Sequence, residues 1–97
     1  TMPREANTVA AIRRALLDRG AFIVKLHGGP HQRAGLPDLV VIYRGRTYWF
    51  EVKQPGGRPT PLQAATIDAI RAAGGAAYVV TSVAEALRIV DEAEATA

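Results

Sequence analysis

Apolar positions recur along this chain with two different periods, and the switches between them mark out its elements. Between Arg4 and Arg19 they fall at Val9, Ile12 and Leu16, one face of a helix, and Gly20 is placed to end it. Phe22-Ile23-Val24-Lys25-Leu26 reads as a strand, and the breaker-rich, cationic run from Gly28 through Pro30, His31 and Arg33 to Gly35 reads as a loop. Leu39–Tyr43 and Thr47–Phe50 are β-branched and aromatic runs separated by Arg44-Gly45-Arg46, hence strand, turn, strand. After a loop from Lys53 to Pro59, Thr60 is a candidate N-cap with Pro61 as the first residue of a helix that Gly74-Gly75 closes near Ala73. Ala77–Val80 is a short strand. Ser82-Val83-Ala84-Glu85 has the form of a capping box and opens a last helix through Leu87 and Val90, expected to fray from Glu94 onward.

The predicted order is αβββαβα, an α/β fold with a mixed sheet flanked by helices. The near-continuous apolar character of Leu39–Tyr43 and Tyr48–Val52 predicts a sheet covered on both faces. If Arg44-Gly45 is a two-residue turn, paired positions of the hairpin sum to 89, so Tyr43 faces Arg46, Val40 faces Trp49 and Asp38 faces Glu51. That form requires a positive φ at Arg44. A three-residue loop with a bulge at Gly45 shifts the register by one.

Composition narrows the class. The 97 residues, 48% hydrophobic and 22% charged, suit one domain spanning 1–97 and indicate neither disorder nor a membrane protein. No run approaches the ~18–20 apolar residues of a membrane span, and the amino terminus lacks a basic stretch followed by an apolar core, so a cytoplasmic protein is expected. The absence of cysteine leaves oxygen and imidazole ligands, which favour magnesium or manganese over structural zinc. The formal charge of +3 hides an asymmetry: Asp91, Glu92 and Glu94 cluster near the carboxyl end, so the residues before them carry +6. A basic body suits a polyanionic partner, although arginine-rich surfaces are often only solvated.

Candidate chemistry gathers on the hairpin. Asp38 after Pro37 is either a turn residue or a ligand. Glu51 is harder to assign to structure alone, because an acid inside an aromatic strand is costly to bury unless paired. Opposed residues have Cβ atoms about 4.5–5.5 Å apart, so ionised Asp38 and Glu51 require a cation: a hard divalent ion, or an arginine, or Lys53, which alternation places beside Glu51. Glu5 extends the stripe of the first helix backwards, yet also suits the positive end of that helix. Gln63 completes a capping box with Thr60, yet shares a face with Ile67 and Ile70, so it too can point toward the carboxylates. His27 and His31 have a spacing compatible with zinc, and with Lys25, Arg33 and Arg58 are read as phosphate or base contacts.

At these residues the chain resembles the VRR-NUC family, the virus-type replication-repair nucleases of the PD-(D/E)XK superfamily. Pro37-Asp38 with Glu51-Val52-Lys53 fits the superfamily motif, Gly35-Leu36-Pro37-Asp38-Leu39 and the Gln63 helix fit this branch, and the likeness runs from Glu5 to about Val90. The resemblance implies a restriction-endonuclease-like core in which Asp38, Glu51 and the Val52 carbonyl bind magnesium or manganese, and Glu5 completes the site directly or through water. It implies that Lys53 orients or deprotonates the attacking water and that Gln63 holds water or phosphate. It implies hydrolysis of DNA phosphodiesters and, as in Holliday-junction resolvases, a homodimer acting on branched DNA in repair. The competing expectations are a DNA-binding module that keeps the fold without turnover, and a small subunit acting through protein association.

Overall fold

The computed structural model describes residues 3–26 and 32–95, and seven elements follow one another there in the predicted order. Helix α1 (Pro3–Asp18) is ended by Gly20, whose φ of 90° only glycine adopts readily. Strand β1 (Phe22–Lys25) is followed by β2 (Leu39–Tyr43) and β3 (Arg46–Val52), then by α2 (Pro61–Ala72), β4 (Ala76–Val80) and α3 (Val83–Ala95). The sheet order is β1-β2-β3-β4, antiparallel through β3 and parallel between β3 and β4, so the sheet is mixed.

The hairpin has the two-residue turn. Arg44 and Gly45 both have positive φ, 51° and 80°, the condition for the primed turn whose twist matches its strands. Val40 therefore pairs with Trp49 and Tyr43 with Arg46. No bulge shifts the register. Asp38 lies one residue before β2, where its carbonyl accepts the Leu26 N–H at 2.8 Å, so pairing with the β1 side continues past Lys25.

Alternation sorts the side chains into two layers. Leu39, Val41 and Tyr43 of β2, Tyr48, Phe50 and Val52 of β3, and Val80 of β4 pack with Val9, Ile12 and Leu16 of α1 and with Ala86 and Val90 of α3. This is the core. Glu51, Thr66, Ile67 and Ala77 are also buried but stand outside that cluster, on the face that α2 covers. Helix α2 starts as expected: Thr60 Oγ1 accepts the Gln63 N–H while Gln63 Oε1 accepts the Thr60 N–H.

Three expectations change. The sheet is covered on both faces at β3 and β4 but not at β1 and β2, where Phe22, Val24 and Ile42 are exposed. The reason is geometric: one helix about 10 Å wide covers two strands spaced about 4.8 Å apart, and the other two helices lie on the opposite face. Helix α3 runs through Ala95, and its start is capped differently from the expected box. Ser82 Oγ accepts the Glu85 N–H, but the Glu85 carboxylate accepts from the N–H of Thr81, one residue further back than a capping box requires. The acidic end is also partly neutralised, since Arg19, just after α1, pairs with Asp91 and Arg88 with Glu92. Among the described residues no helix is long and apolar enough to cross a membrane.

Candidate active site

The candidate site is one row of the sheet on the α2 face. Glu51 pairs with Val79 of β4, the Leu26 N–H bonds the Asp38 carbonyl, and the Asp38 charge acts on the Glu51 carboxyl, so these residues lie together at one end of the sheet. The approach to Asp38 is tightly determined. Gly35 has φ +84°, and a Cβ there would lie 2.8 Å from Leu62 Cγ and 2.9 Å from Thr66 Oγ1 of α2. The strand-entry loop and the start of α2 thus pack together only because residue 35 has no side chain, and Pro37 is buried just beyond. Gly35→Ala is expected to cost about 1–3 kcal/mol in urea unfolding from overpacking plus the positive φ. An unchanged midpoint would refute that packing role.

Asp38 is oriented by the backbone. Its Oδ2 accepts the Val52 N–H at 2.8 Å, beyond the last ladder pair of β2 with β3, so the carboxylate takes the place of a missing strand partner. Glu51 is 2% exposed, with Oε2 at 3.3 Å from Lys53 Nζ and Oε1 buried without a hydrogen-bond partner. Burial first, and the nearby Asp38 charge second, push the Glu51 carboxyl up to about 7 against the opposing pull of Lys53. The lysine therefore does not fully compensate the acid. A buried acceptor without a donor, beside a second carboxylate, is a donor set short of positive charge, which fits a hard divalent cation.

The other predicted residues divide. Gln63 and Arg33 join Asp38, with Leu26, Gln32 and Leu36, around a cleft of about 330 Å³. The Gln63 side-chain oxygen is held in the cap, and the residue also lines the cleft. Val52 buries its side chain in the core and gives its N–H to Asp38. Glu5 is half-buried in the first turn of α1, but no group of three or more Asp, Glu, His or Cys side chains able to hold a metal forms among the described residues. Glu5 is therefore not gathered into a three-carboxylate cluster with Asp38 and Glu51. Lys25 pairs with Leu39, so alternation turns it to the α1 side of the sheet, away from the carboxylates. Arg58 is exposed in the loop after β3. His27 and His31 lie outside the described residues.

Two glutamines escaped the sequence reading. Gln32 lines the cleft, and Gln54, next after Lys53, buries an Nε2 without a partner while its carbonyl accepts the Gly57 N–H in a tight turn. Adjacency to Lys53 was the available signal for Gln54. For Gln32 there was none, because loop packing decides it.

No family model and no curated protein matches the chain. Among solved structures, one described as a VRR_NUC domain superposes with a TM-score of 0.80 at 26% identity, over 93% of this chain and 97% of that one. A second, described as a VRR_NUC domain protein, gives 0.73 at 20% identity over 90% and 84%, a likeness of fold. Over most of its length, four-stranded mixed sheet included, the chain is thus similar in structure to solved VRR_NUC domains, a nuclease type of domain.

Proposed function

We propose that this protein is a magnesium- or manganese-dependent deoxyribonuclease that cuts within branched DNA, such as Holliday junctions, as a homodimer acting in repair. The observation that carries the reading is the buried, partnerless oxygen of Glu51 beside Asp38. Asp38 and Glu51 would hold the ion, with the Val52 carbonyl and, through water, Glu5 as the remaining donors of the family pattern. When bound, a divalent ion polarises the phosphoryl oxygen and makes hydroxide available near neutral pH.

The chain's own residues supply the rest. The Asp38 carboxylate is held by the Val52 N–H and does not have to reorganise as charge develops. Lys53 sits at 3.3 Å from Glu51 on the same strand face, where its ammonium orients the attacking water and offsets charge growing on the phosphate. Gln63 offers an amide to water or phosphate at the cleft wall, and Arg33 and Arg58 contact the backbone of the DNA. Such phosphate contacts carry no base information, which suits selection by DNA shape.

The test is a cleavage panel over junction, flap, duplex and single-stranded DNA in magnesium, manganese and chelator. Metal-dependent cutting with preference for the branched forms is expected. Binding without cleavage of any substrate in manganese would replace this reading with a DNA-binding module. Lys53→Met is expected to lower single-turnover cleavage about 10²–10³-fold, the size typical of losing one transition-state charge partner. Wild-type rates in that variant would remove Lys53 from the chemistry.

A further inference from the structure

Just past β3 the chain folds back on Lys53. The Lys53 N–H donates to the Val80 carbonyl at 3.0 Å, so pairing with β4 holds its backbone one residue beyond Val52. Its side chain is a flexible four-carbon stem, yet the ammonium stands at 3.3 Å from Glu51 Oε2 and only 16% of the side chain is exposed. Backbone pairing alone does not restrict the far end of such a stem. The chain then reverses through Gln54-Pro55-Gly56-Gly57, where the Gly57 N–H donates to the Gln54 carbonyl at 2.8 Å. Proline in second place and a glycine with φ 82° in third form the type II pattern. The reversal brings residue 57 to the base of the lysine: a Cβ there would lie 3.6 Å from Lys53 Cβ and 3.0 Å from the Gln54 carbonyl oxygen. A Cβ at Gly56 would meet nothing within 4 Å.

We infer that the 54–57 turn is a positioning element for Lys53, with Gly57 as the residue that packs its backbone against the lysine stem and so keeps the ammonium aimed at the carboxylates. The turn is poorly built for its own stability. It buries Gln54 Nε2 without an acceptor, a kind of group that native folds seldom leave unpaired, and it orders two adjacent glycines, the residues that lose most freedom on folding. What it gains is the contact with Lys53, which a side chain at residue 57 would crowd. The role assigned to Gly57 deepens the proposed function and rests on it, because a fixed ammonium matters most where it must meet an attacking water and a phosphate.

The chain has two lysines, so the exposed Lys25 is an internal standard for a chemical readout. In chelator and without DNA, reductive methylation read by mass spectrometry is expected to label Lys53 at least ~10-fold more slowly than Lys25, since the stem must first leave its contacts. Gly57→Val, which drives branched methyl groups toward Lys53 Cβ, is expected to bring the two rates within about 3-fold of each other, with Gly57→Ala between. Gly56→Asn enlarges the same turn where asparagine accepts the positive φ and touches nothing, and leaves the labelling unchanged. In single-turnover cleavage Gly57→Val is expected to cost about 10–100-fold at unchanged DNA affinity, the scale of misplacing a catalytic group by about 1 Å. In a Lys53→Met background it adds no further loss, because the two act as a unit. Circular dichroism of each variant checks the fold. Equal labelling of both lysines in the wild type would overturn the inference, as would labelling indifferent to Gly57→Val or raised equally by Gly56→Asn. A Gly57→Val chain that frees Lys53 yet cuts at the wild-type rate would overturn it too. The labelling uses neither metal nor DNA, so a chain that cuts no DNA refutes the proposed function while the placement of Lys53 stands or falls separately.

Discussion

Asp38→Asn is expected to lower the proposed metal-dependent cleavage by about 10³-fold or more, while leaving the fold and DNA binding in chelator intact. The substitution is chosen for what it preserves. An asparagine oxygen still accepts the Val52 N–H, so the hairpin keeps the bond that replaces a ladder partner. What disappears is one of the two negative charges that would hold a divalent ion, and losing about 4 kcal/mol of transition-state stabilisation corresponds to that rate factor. Single-turnover cleavage in manganese, alongside binding to the same DNA in chelator, separates chemistry from affinity. If the variant cuts at the wild-type rate with the same metal dependence, the carboxylate row is not the active site.

Glu51→Gln should abolish cleavage as well, and it has a second, independent signature in stability. The unfolded chain ionises this carboxyl near 4.5, whereas the folded protein holds its proton up to about 7. Between those values the native state binds more protons than the unfolded state, so the unfolding free energy falls as pH rises and levels off above the folded value. The interval corresponds to about 3 kcal/mol in the metal-free protein. The wild type in chelator should therefore lose that stability between mildly acidic and mildly alkaline pH, and Glu51→Gln should not. Magnesium or manganese should restore the wild type at pH 8, by about 2.7 kcal/mol at a hundredfold excess over its dissociation constant, and should leave the variant unchanged. Urea unfolding across pH with and without metal reads both effects. Parallel pH profiles for the two proteins would show that Glu51 is not the strained acid of this site.

The stability penalty and the proposed catalytic role have the same origin. A carboxylate that hydrogen bonds and ion pairs had fully satisfied would be cheap to bury and poor at recruiting a cation. Glu51 keeps one oxygen without a partner and only part of the positive charge it needs, so the fold bears a cost that a divalent ion would relieve. The arrangement also explains why Lys53 can remain close: it moderates the acid without saturating it.

Much of this was legible in one dimension. Helical spacing of Val9, Ile12 and Leu16, the Thr60-Pro61 start, the glycine stops and the Arg44-Gly45 turn are local properties that determined the element order and reduced the hairpin register to two alternatives, between which the positive φ of Arg44 and Gly45 decides for the two-residue turn. Strand alternation likewise determined that Lys53 neighbours Glu51. Only the tertiary structure decided how deeply Glu51 is buried and that one of its oxygens is left over. It also decided that Gln32 and Gln63 share a cleft with Asp38, and that Glu5 joins no cluster of three acids among the described residues. It decided too that half of one sheet face stays open, with Phe22, Val24 and Ile42 exposed. Period and turn chemistry are written residue by residue, whereas burial depends on which helix lies over which strands, and a single α2 is too narrow to cover all four.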